Sequence, residues 1–143
     1  MSLCAAAFTS VSGHIEPLRR FELSAGHTVG QKLLQELKSK APQANDQNSF
    51  AFLLIDGLSV REEPVARAFQ NVLGRVPLVG GSAGDGLDFG RTYVYVDGSF
   101  RPGSAALTLL TTPVPFRVFK TKHFVSTDQR LVITKLNFPS SRS

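Results

Sequence analysis

One cysteine, Cys4, one methionine and no tryptophan occur among the 143 residues. A single thiol excludes an intramolecular disulfide framework and any zinc or iron–sulfur site built from several cysteines of this chain. Such usage fits a reducing, cytoplasmic setting. Long apolar runs are also missing. The longest, Phe50 to Ile55, is six residues, against the ~20 that a spanning helix needs, so no membrane segment is expected. The opening Met1-Ser2-Leu3-Cys4-Ala5 lacks the positive charge of a secretion signal, and Thr9 and Ser10 soon interrupt its apolar stretch. Charge is sparse and scattered: 16 basic and 11 acidic residues give +5, with no block of like charges. A nucleic-acid partner is therefore not expected. Hydrophobic residues at 42%, eleven of the residues being Phe, supply a core and exclude a disordered chain.

What is present alternates between strand and helix signals. Leu3 to Val11 is small, apolar and β-tolerant, and Ser12-Gly13 reads as the turn that closes it. Thr28 and Gln31 form a capping-box pattern before a helical stripe of Val29, Leu33, Leu34 and Leu37, which Lys38, Lys40 and Pro42 end. Phe50 to Ile55 reads as a core strand buried on both faces. Val65, Ala68, Phe69, Val72 and Leu73 share one helical face, with a helix start at Pro64 and a stop at Gly74. Val76 to Val79 is a short strand that runs into Gly80-Gly81-Ser82-Ala83-Gly84-Asp85-Gly86, where four glycines in seven residues predict a sharp turn. Thr92 to Val96 and Ser104 to Leu110 read as a hairpin through Pro102-Gly103, and Phe116 to Val125 and Arg130 to Leu136 as further strands. Strands outnumber helices without strict alternation, which defines an α+β class: a mixed, mainly antiparallel sheet with helices packed on its outer face.

Three constellations could carry chemistry. Gly80-Gly81-Ser82-Ala83-Gly84 matches the G-x-S-x-G pattern of a serine hydrolase, with Asp97 and His123 downstream. No helix signal follows the serine, so a glycine turn is the favoured reading and no catalytic residue is expected. The same glycines could form an anion-binding nest, but neither G-x-G-x-x-G nor a phosphate-loop lysine is present. His123 falls among Arg117, Phe119, Thr121 and Val125 on one face of a strand, where an imidazole can serve as an axial ligand to haem or simply hydrogen-bond within the sheet. The Gly80–Asp85 turn and the Phe116–Phe124 strand are expected to meet as two walls of one pocket.

Phe52-Leu53-Leu54-Ile55-Asp56-Gly57-Leu58-Ser59, Arg61-Glu62-Glu63, Pro77 to Asp85, Arg91-Thr92-Tyr93-Val94, and Pro115 to Lys120 with His123-Phe124 occur in that order. Together they resemble the N-terminal part of the FIST sensory domain. The resemblance implies a non-enzymatic module that binds a small molecule and signals to a histidine kinase, a cyclase or another signalling protein. It also implies a FIST domain over residues 1–136, incomplete at its N-terminus, with missing FIST segments as partners and residues 137–143 as an aberrant tail. A fragment of this kind is expected to be poorly soluble or oligomeric. Some family members are haem-containing nitric oxide sensors, which makes His123 the candidate axial ligand and haem the candidate cofactor. Gly80, Gly81, Ser82, Gly84, Asp85, Arg91 and Phe119 are the ligand-binding candidates. An F-box-type protein-recruitment module is the alternative implied by eukaryotic members, and hydrolysis through Ser82 comes third.

Overall fold

The computed structural model describes residues 8–86 and 90–119. Four strands form the main sheet in the order β1-β6-β2-β3: Thr9–Ile15, Ala105–Thr111, Ser49–Asp56 and Leu78–Ala83. β6 runs antiparallel to both β1 and β2, and only β3 runs parallel to its neighbour β2. Helices α1 (Leu23–Lys40) and α2 (Glu62–Leu73) cover one face. A second, two-stranded sheet pairs β4 (Val94–Val96) with β5 (Ser99–Arg101). The α+β class with mainly antiparallel pairing holds.

Alternation decides what each strand buries. Ala51, Leu53 and Ile55 of β2 join Ala105, Leu107 and Leu109 of β6 and Val11 and Ile15 of β1 in the core, against Leu33 and Leu37 of α1 and Val65, Phe69 and Leu73 of α2. The opposite residues of β2 are not covered in the same way. Phe52 is 41% and Leu54 38% exposed, so β2 is central in the sheet yet buried on one face only, contrary to the reading of its apolar run. On that face the β4–β5 hairpin lays Val94 and Val96 over Ala106. A contact of His14 Nδ1 with the Asp97 carboxylate at 2.9 Å and an ion pair from Arg101 to Glu16 at 2.6 Å fasten it to β1 and the segment that follows.

Several local expectations are corrected. Ser12-Gly13 does not turn the chain; β1 runs through it to Ile15, and the bare Gly13 lets Leu33 and Val29 of α1 approach, 3.4 Å from where a Cβ would stand. α1 starts at Leu23, so Thr28 lies inside it and its hydroxyl donates to the Ser24 carbonyl at 2.9 Å instead of capping. α2 starts at Glu62, with Pro64 in the first turn, where an N–H has no helical acceptor to lose. Val94–Val96 pairs with Ser99–Arg101 across the tight Asp97-Gly98 turn, both of whose residues have positive φ, while Ala105–Thr111 is a strand of the main sheet. Phe116 to Phe119 is not in a strand; the rest of that predicted strand, the Arg130–Leu136 strand and the 137–143 tail lie outside the described residues. No helix among the described residues is long and apolar enough to cross a membrane.

The two helices meet through small residues. A Cβ at Gly26 would stand 2.7 Å from the Ala68 Cβ, and one at Gly30 3.1 Å from Val72 Cγ1. Gly26→Ala must push α2 away, costing about 1–3 kcal/mol by overpacking, offset by about 1 kcal/mol of helix propensity. We expect a net loss of about 1 kcal/mol, read as a lower urea midpoint at unchanged m-value.

Candidate functional site

α2 packs on α1 and lies over β2 and β3 of the sheet, and its packing on β3 leaves a gap at Ala66. The void between them is a cleft of about 230 Å³. Leu53 and Ile55 of β2 form its floor, Ala66 of α2 one wall and Leu78 with Gly80-Gly81-Ser82 of β3 the other. Three features of the sequence keep it open. Ala66 is too short to fill it, Gly80 and Gly81 add no side chain, and β3 is the last strand on that side of the sheet among the described residues. Polar groups gather at one end, where Ser82 Oγ donates to Glu62 Oε1 at 3.4 Å. That end lies where β2 and β3 finish and α2 begins, the position at which parallel strands joined by a helix commonly bind ligands.

Gly80, Gly81 and Ser82 are thus residues of strand β3, not of the glycine turn expected from their density. The G-x-S-x-G serine sits within a strand, without the strand-to-helix elbow that would expose a nucleophile. Gly84 and Asp85 follow the strand. Nothing stands within 4 Å of a Cβ built at Gly84, and the Asp85 carboxylate accepts from the Gly90 and Arg91 amides at 2.6 and 3.0 Å, closing the loop there. Arg91 is exposed and does not line the cleft. Phe119, 82% exposed, belongs to a shallow depression on the other face of the sheet with Phe50, Val79 and Phe116. The Phe116 ring lies 4.9 Å from that of Phe50. The glycine segment and the described part of the aromatic segment therefore border two separate surfaces that share only Val79, not one pocket.

Sequence reasoning did not select Glu62, Ala66, Leu53 or Ile55 as site residues. A signal existed: two strands flanking one amphipathic helix, taken as a parallel pair, would have carried the start of that helix to the end of β3.

The α2–β3 cleft itself does not fit haem. The cleft is smaller than the roughly 300–1,000 Å³ typical of sites for drug-sized ligands, and no histidine lines it. His14 is held by Asp97, and His27 is exposed on α1. His123 lies outside the described residues. Nor do any three His, Cys, Asp or Glu among the described residues converge to hold a metal ion.

The chain is thus a small α+β domain with a half-open cleft between α2 and β3. The FIST N domain family model matches residues 1–138, and the chain belongs to the FIST family, sensory domains of signal transduction. No curated protein matches it.

Proposed function

We propose that this domain senses a small molecule in the α2–β3 cleft and passes the binding event to a signalling partner, without itself catalysing a reaction. The cleft carries the reading. Its floor is core, its two walls belong to α2 and β3, and a ligand there would brace one against the other. Binding alters a partner only where it favours one arrangement of the domain over another, and α2 and β3 are the elements a ligand in this space would touch. Kinases or cyclases are the partner classes to which this output fits. The Phe52 and Leu54 face and the exposed Tyr95–Phe100 ring pair, 5.1 Å apart, favour contact with a protein as the second step.

Filling the cleft tests the proposal. Ala66→Phe places a ring in it, and should hold or raise the melting temperature while abolishing thermal shifts produced by a panel of small amines, alcohols and carboxylic acids. A ligand at a hundredfold excess over Kd stabilises the folded state by about 2.7 kcal/mol, a shift easily seen in the unsubstituted protein. Shifts that persist in Ala66→Phe would move the site elsewhere.

A further inference from the structure

On the reading that the cleft is the ligand site, we propose that its ligand is a short aliphatic amine, with the ammonium on Glu62 and the chain against Leu53, Ile55 and Ala66. The cleft is polar at one end only, and the polar end carries a carboxylate. Among the described residues Glu62 forms no ion pair. Its one hydrogen bond to a described residue, from Ser82 Oγ, is long at 3.4 Å, so a ligand can meet this half-buried carboxylate without displacing a strong protein partner. The first turn of a helix favours an acid, but Glu63 occupies the same turn and is exposed; the helix dipole does not explain an acid at the rim of an apolar cleft.

An ammonium answers this arrangement. It brings three donors: one for Glu62, one for the Ser82 hydroxyl, and one left to solvent at the open mouth of the cleft. A carboxylate ligand would meet Glu62 with like charge, and an α-amino acid would bring its own carboxylate to the same end. Size follows from volume. At roughly 30 Å³ per water-sized group, 230 Å³ takes about seven or eight such groups, the size of hexylamine.

Calorimetric titration of the whole chain with hexylamine, hexanol, hexanoate and norleucine tests this. Hexylamine should bind at least tenfold more tightly than hexanol, and hexanoate and norleucine more weakly than either. Glu62→Gln should bring hexylamine down to the hexanol level and leave hexanol unchanged, which also reports that the variant is folded. Equal binding of hexylamine and hexanol, both lost in Ala66→Phe, would overturn the amine assignment while the cleft stands as the site. Undiminished hexylamine binding by Glu62→Gln overturns it equally. No heat from any of the four would overturn the cleft reading and this proposal with it.

Discussion

Asp56→Ala is expected to cost the domain about 3–5 kcal/mol, since three hydrogen bonds to a buried carboxylate are lost and each contributes roughly 1.5–3 kcal/mol before relaxation and water recover part of it. Asp56 is the last residue of β2 and 5% exposed. Its Oδ1 accepts from the Leu58 amide at 2.9 Å and from the Thr92 hydroxyl, and its Oδ2 from the Gly103 amide at 2.5 Å. One side chain thereby ties the turn before α2, the approach to β4 and the turn between β5 and β6. These segments are distant in sequence, and no hydrophobic cluster joins all three. Domains of this size are stable by about 5–15 kcal/mol in total, so the variant should lose about a fifth or more of its urea midpoint, with the Gly103 and Leu58 amides exchanging fastest. Asp56→Asn retains one acceptor and should fall between. Thr92→Val in the Asp56→Ala background should add little, because the partner of that hydroxyl is already gone. Full additivity would show that the carboxylate does not join these segments.

Local signals made β2 and both helical stripes legible. Val65, Ala68, Phe69 and Leu73 are buried in α2, as are Leu33 and Leu37 in α1, because a 3.6-residue repeat of apolar groups leaves a chain few other ways to hide them. Pairing order was not legible. β6 sits between β1 and β2, paired with residues 50 or more positions away in sequence, and nothing within Ala105–Thr111 names its partners. The start of α1 was lost for a related reason. Its N-cap, Glu22, makes no side-chain capping bond, so tertiary packing of Gly26 and Gly30 on α2 supports a first turn that carries no local mark. Glycine misled most where it serves close approach instead of turning. Gly13 admits a helix and Gly80 a neighbouring strand, and both were read as bends. The candidate site followed the same division: Gly80 to Ser82 stood out by composition, whereas Glu62 and Ala66 enter the cleft only through the placement of α2.

Gly80→Ala and Gly81→Ala, adjacent in one strand, should give opposite results. A Cβ at Gly80 would stand 1.8 Å from the Leu53 carbonyl oxygen and 2.7 Å from its carbon, and the residue has a φ of 155°. Backbone cannot yield as a flexible side chain does, so β3 must part from β2 at the middle of their ladder, where Leu53 pairs with Gly80. Strain of about 1–2 kcal/mol from the backbone and about 1–3 from the forced separation predicts a loss of about 2–5 kcal/mol. At Gly81 nothing lies within 4 Å of the added methyl, and a more restricted unfolded chain should make that variant neutral or more stable by up to about 1 kcal/mol. The pair also separates fold from function. β3 is one wall of the cleft and, among the described residues, an edge strand, so its release by Gly80→Ala should remove the response to small amines even where circular dichroism shows the helices intact, while Gly81→Ala keeps it. Equal melting temperatures for the two variants would mean that β3 does not approach β2 this closely. A retained amine response in Gly80→Ala would mean that β3 is not a wall of the binding site.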